Sequence, residues 1–98
     1  DKGQFFTPKE LVQCMVSIMK PKKGEVVMDP ACGTGGFLSQ AYVYCAENEK
    51  KSKKEISLIG IDKDKDMADM ALATTEIISH SLAQIYNRNS LELLKELH

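Results

Sequence analysis

No stretch of this chain approaches the roughly 20 consecutive apolar residues that a membrane-spanning helix needs, so its 98 residues are read as one globular unit. The chain opens Asp1-Lys2-Gly3-Gln4, with neither a signal peptide nor an initiating methionine. It is therefore expected to be a piece of a longer protein. Charge of one sign is lacking as well: the net charge of −1 carries no overall nucleic-acid signature. Cysteine is sparse and unpatterned. Cys14, Cys32 and Cys45 form no C-x-x-C pair, and no histidine stands at metal spacing, so reduced thiols in a cytosolic protein are the simplest account. Internal repeats, low-complexity segments and the Pro-Pro dipeptide are absent too.

What is present is a regular alternation of helical and strand patterns. Thr7 is placed to cap a helix, Pro8 suits its first position and Glu10 completes a capping box. Leu11, Val12, Met15, Ile18 and Met19 then recur at helical spacing, and Pro21 to Gly24 turn the chain. Residues 25–29 read as a strand whose unbroken apolar character predicts cover on both faces. Phe37, Leu38, Ala41, Tyr42 and Cys45 mark a second helix to about Glu47, and residues 49–55 form a charged loop. Residues 56–61 predict a second strand ending at Asp62, residues 64–82 a long helix carrying Met67, Met70, Ala71, Ile77, Ile78 and Leu82. A weaker strand at 84–87 and a short helix at 91–97 complete the order. Alternating helices and strands imply an α/β parallel sheet with right-handed crossovers. Cys14 and Cys45 fall among apolar helical positions and are expected to pack as small hydrophobes.

The densest chemistry lies at Asp29-Pro-Ala-Cys-Gly-Thr-Gly-Gly36, where an acid ends the first strand and glycines crowd the turn. Such a turn lets a ligand approach bare backbone. A phosphate loop fails, because no Lys-Ser or Lys-Thr follows these glycines. The dinucleotide pattern fails at Leu38, where its third glycine belongs. A carboxylate at the strand end also repels a pyrophosphate and suits a cation. S-adenosylmethionine fits, having an ammonium, a sulfonium and no phosphate. Asp62, ending the second strand, stands where a carboxylate can accept from both ribose hydroxyls. The third strand delivers Asn89 to the same edge, where its side chain can accept from the adenine amino group.

Along nearly its whole length the chain resembles the N6-adenine DNA methyltransferases. The motifs that carry the resemblance are Gly3-Gln-Phe-Phe-Thr-Pro8, Asp29-Pro-Ala-Cys-Gly-Thr-Gly-Gly-Phe-Leu38, Gly60-Ile-Asp62 and Asn89-Ser-Leu91. The likeness is nearest to the modification (M) subunit of type I restriction–modification systems. It implies a Rossmann-like methyltransferase fold, S-adenosylmethionine as cofactor, DNA as substrate, specificity and restriction subunits as partners, and a prokaryotic cytoplasmic location. By resemblance, Gln4, Phe5, Phe6, Thr7, Pro8 and Lys9 form a lid over the methionine end. Asp29 faces the ammonium, Gly33, Thr34, Gly35 and Gly36 pass beneath the cofactor, Asp62 holds the ribose and Asn89 the adenine. The family often has aspartate where Asn89 stands, and an apolar residue where Lys63 follows the ribose acid.

The same resemblance implies an [N/D]-P-P-[F/Y] motif that grips the extruded target adenine. None occurs here, so residues 1–98 are expected to be the cofactor-binding part of the domain, inactive alone, with no catalytic residue of their own. A non-catalytic cofactor-binding module, or a methyltransferase acting on RNA or protein, are the competing readings. Cys32 lacks an activating histidine in sequence, His80 and His98 read as surface or packing residues, and Lys50 to Lys54 as a solvated loop at the amino edge of the sheet.

Overall fold

The computed structural model describes residues 9–79 and 83–97, without the side chains of Leu94 and Leu97. The elements run α1 (Lys9–Met19), β1 (Val26–Asp29), α2 (Gly36–Asn48), β2 (Ser57–Asp62), α3 (Lys65–Ser79), β3 (Ala83–Asn87) and α4 (Ser90–Leu97). The strands form one parallel sheet in the order β1-β2-β3, with Asp29 beside Gly60 and Asp62 beside Asn87. The expected α/β architecture is the one observed. The capping residues Thr7 and Pro8, and His80, Leu82 and His98, lie outside the described residues.

Strand side chains alternate between faces. Val27, Leu58, Ala83 and Ile85 share one face by register, and there they pack with Leu38, Ala41 and Cys45 of α2 and Ala71 of α3. On the opposite face the β1 side chains are exposed, Val26 by 63% and Met28 by 54%, whereas Ile61 of β2 is buried, with 4% exposed. The expectation that β1 is covered on both faces is thus half met. An unbroken apolar run records what a strand can bury, not what is present to bury it.

Two helices orient differently from their sequence periodicity. In α1, Val12 and Val16 are buried, while Leu11, Met15, Ile18 and Met19 are exposed, Ile18 by 74%. Among the described elements α1 packs chiefly on α2, and that contact needs only one i, i+4 ridge. Cys14 is exposed as well, against expectation, whereas Cys45 is buried and its Sγ donates to the Pro21 carbonyl at 3.1 Å. In α3 the buried residues are Ala68, Ala71, Thr75 and Ser79, while Met70 and Ile77 face outward. Ala71, one of the expected apolar positions, is where α3 comes close to the turn: a Cβ on Gly35, before α2, would lie 3.2 Å from the Ala71 Cα.

Candidate functional site

The carboxyl ends of all three strands converge on one cleft of about 270 Å³. Pro30 and Ala31 line it from the β1 end, Asp62 and Lys63 from β2, and Asn89, Ser90 and Leu91 from β3. A larger hollow of about 300 Å³ lies between α1 and α2, walled by Gln13, Ser17 and Tyr44 among others, but no strand end reaches it. In open parallel sheets, ligands bind outside the carboxyl ends of the strands. The smaller cleft is therefore the candidate.

The glycine turn is held to the β2 end by two backbone donors. Cys32 N–H donates to the Ile61 carbonyl at 2.9 Å, and Gly33 N–H donates to Asp62 Oδ2 at 2.9 Å. Gly33 and Gly35 have φ of +52° and +84°, the left-handed region that glycine enters without penalty. Gly35 precedes α2 and has no side chain with which to cap it. Beside Gly33 and Gly36 there is open space where a Cβ would stand. These two positions keep the surface of the turn low, and Thr34 between them is half-buried.

Asp62 ties three segments together. Its Oδ1 accepts from Asp64 N–H at 2.8 Å, and Asp64 Oδ1 in turn accepts from the Asp66 and Met67 N–H groups at the start of α3. The Asp62 carbonyl accepts from Arg88 N–H at 3.0 Å. Neither Asp29 nor Asp62 meets a side-chain cation among the described residues. Burial raises the Asp29 carboxyl above its ordinary value of 3.8, the Ala31 N–H it accepts opposes this, and the Asp62 charge adds to it. Burial, and then the two aspartates, push the Cys32 thiol up to about 12. Cys32 thus stays protonated and is no nucleophile, as its sequence context suggested.

Asn89 Oδ1 accepts from Leu91 N–H at 2.9 Å and Glu92 N–H at 3.4 Å, so its side chain caps α4. Two neighbours carry structure that sequence reasoning did not assign. Asn87 Nδ2 donates to the carbonyls of Asp62 and Lys63 at 3.0 and 3.1 Å, fastening β3 to the β2 turn. Ser90 Oγ donates to the Pro30 carbonyl, joining the start of α4 to the β1 turn. Both bonds need knowledge of which strand ends adjoin, and the only local signal was the polar run Asn87-Arg-Asn-Ser90.

Asp29, Gly33, Thr34, Gly35, Gly36, Asp62 and Asn89 therefore share one edge of the sheet. Lys9 begins α1 on the flank of α2, with no described contact to the cleft. Gln4, Phe5, Phe6, Thr7 and Pro8 lie outside the described residues.

A parallel sheet with a glycine turn after β1 and acids ending β1 and β2 is the Rossmann-like fold of the S-adenosylmethionine-dependent methyltransferases, here in a three-stranded part. The family model described as N-6 DNA Methylase matches residues 1–96, and the chain belongs to that family. It is 36% identical over 97 residues to the type I restriction enzyme EcoEI methylase subunit of Escherichia coli, covering 91% of this chain and 19% of that protein. It is 34% identical over 95 residues to the MjaVII methylase subunit of Methanocaldococcus jannaschii, covering 93% and 16%. Among solved structures, the modification subunit of a putative type I restriction enzyme from Vibrio vulnificus superposes with a TM-score of 0.72 at 34% identity, covering 89% of this chain and 19% of that one. The chain spans less than a fifth of the length of these curated relatives.

Proposed function

We propose that this chain is the S-adenosylmethionine-binding part of an adenine-N6 DNA methyltransferase of a type I restriction–modification system, working with specificity and restriction subunits. The observation that supports it most is the pairing of two carboxylates, neither met by a side-chain cation among the described residues, with a glycine turn that leaves room for a ligand. A phosphate-bearing ligand would meet repulsion from Asp29 and Asp62, whereas a sulfonium and an ammonium are attracted. The cleft is of a size for a nucleoside, which fits the adenosine half.

When bound, S-adenosylmethionine supplies an activated methyl group, so the contribution of the protein is binding and orientation. Asp62 would accept from the ribose hydroxyls while still holding Gly33, because each carboxylate oxygen has a second lone pair. Asp29 would face the methionine ammonium. Gly33, Thr34, Gly35 and Gly36 would pass below the cofactor, and the segment Gln4 to Lys9 would close over its methionine end. The residues that grip the target adenine are not among these 98. Hence this chain alone is expected to hold the methyl donor and leave DNA unmethylated.

The test is calorimetric titration of the intact protein with S-adenosylmethionine, ATP and NAD in turn. Saturable heat with S-adenosylmethionine alone is expected. Heat with ATP or NAD and none with S-adenosylmethionine would overturn the reading. Incorporation of labelled methyl into adenine of duplex DNA by the assembled enzyme tests the substrate.

A further inference from the structure

Asn89 has one side-chain oxygen, and that oxygen is engaged twice, by the N–H groups of Leu91 and Glu92. Exchanging the two amide atoms would aim an NH2 group at two backbone N–H groups, donor against donor. The orientation therefore follows from the helix end itself. An aspartate in this place caps with one oxygen and keeps the other as an acceptor. An asparagine that caps has only N–H bonds left to offer. Its amide nitrogen has no partner among the described residues, and Asn89 lines the cleft together with Asp62 and Leu91.

Resting on the reading of this cleft as a nucleoside site, we propose that Asn89 meets the cofactor's base as a hydrogen-bond donor. Nδ2 gives a proton to a ring nitrogen, and the exocyclic amino group is left to other partners. Adenine offers both kinds of edge: its ring nitrogens accept and its amino group donates. The capped amide matches the first and clashes with the second. One side chain thus performs two tasks, ending the orphan N–H groups of α4 and reading the base, and the two tasks fix each other's geometry.

Asn89→Asp separates the tasks, because aspartate caps as well as asparagine but cannot donate when ionised. The experiment is titration calorimetry of S-adenosylhomocysteine into the intact protein above pH 7, with melting temperatures recorded for each variant. The Asn89→Asp protein is expected to melt no lower than wild type and to bind about tenfold more weakly, since a carboxylate then opposes a ring lone pair. Asn89→Ser keeps the cap without the reach and is expected to bind about threefold more weakly. Wild-type binding together with equal or tighter binding by Asn89→Asp would overturn the donor assignment and leave the cofactor reading standing. Wild-type binding matched by Asn89→Ser would do the same. Absence of binding by the folded wild-type protein would remove the cofactor reading and this inference together.

Discussion

The two edges of the sheet are built from the same kinds of parts and end up chemically opposite. At the carboxyl edge, Asp62 takes the N–H of Gly33 from another segment at 2.9 Å; at the amino edge, Glu49 takes the N–H of Lys23 at 2.7 Å. Each edge also has a left-handed glycine, Gly35 at φ +84° and Gly24 at φ +93°. The difference lies in the surroundings. Asp62 and Asp29 stand together at the strand ends beside open space at the glycine turn, whereas Glu49 lies in a lysine-rich stretch, where Lys23 Nζ donates to the Ser52 carbonyl and Lys54 packs by Gly24. A hydrogen-bonded carboxylate standing alone in such a stretch is a structural tie. It becomes a candidate ligand site where its charge is left uncompensated.

The comparison breaks most visibly if both ties are cut. Asp62→Ala is expected to weaken S-adenosylhomocysteine binding about thirtyfold or more, since it removes a charged partner as well as the tether on Gly33. Glu49→Ala is expected to leave that affinity unchanged and to cost about 1 kcal/mol of stability, read by denaturant unfolding. Equal effects on binding would show that the two edges do not differ as described.

The glycines give the next largest contrast. Alanine at Gly35 must adopt a left-handed backbone and meets the Ala71 backbone at 3.2 Å, so Gly35→Ala is expected to cost about 2–3 kcal/mol. At Gly24 the nearest atom is the Lys54 Cδ at 3.1 Å, part of a flexible chain, and only the conformational penalty of about 1 kcal/mol remains. Melting curves of the two variants check the order.

A smaller effect concerns pH. Burial raises the Asp29 carboxyl above 3.8, so the folded protein holds that proton more tightly than the unfolded chain. The stability this brings is present below 3.8 and is lost as pH rises through the higher folded value. Asp29→Asn should therefore flatten that decline and leave the protein at least as stable at neutral pH, while weakening a cationic cofactor. A bound cation favours the ionised carboxylate, so wild-type affinity should fall as pH drops into the same window. Affinity that is flat with pH would count against Asp29 as a partner of the ammonium. The smallest effect belongs to the amino edge: replacing Lys50, Lys51, Lys53 and Lys54 by alanine should change stability by less than about 0.5 kcal/mol for each residue and leave cofactor affinity alone.

Much of this arrangement was legible in the sequence because it is local. Asp29 and the glycines that follow sit on one strand–turn–helix unit, so their order along the chain is also their order in space. The parallel sheet followed from the alternation of elements, and Asp62 from its place at a strand end. What escaped depends on contacts between distant segments. Periodicity identified α1 and α3 as amphipathic, but of the buried positions of α3 it marked only Ala71, which lies against Gly35; Ala68, Thr75 and Ser79 are too small or too polar to signal a buried face. The uncovered face of β1 could not be read from Val26 and Met28, which are as apolar as any buried pair. The bonds of Asn87 and Ser90 needed strand adjacency. The cap at Asn89 depended on α4 beginning at Ser90, one residue earlier than the apolar pattern suggested.

The central claim is that the carboxyl edge, and not the larger hollow between α1 and α2, receives the cofactor. Hydrogen–deuterium exchange on the intact protein, with and without S-adenosylhomocysteine, tests it most directly. Protection is expected in peptides spanning residues 29–36, 62–64 and 88–92, with residues 13–17 and 40–47 unchanged. Protection confined to residues 13–17 and 40–47 would contradict the account.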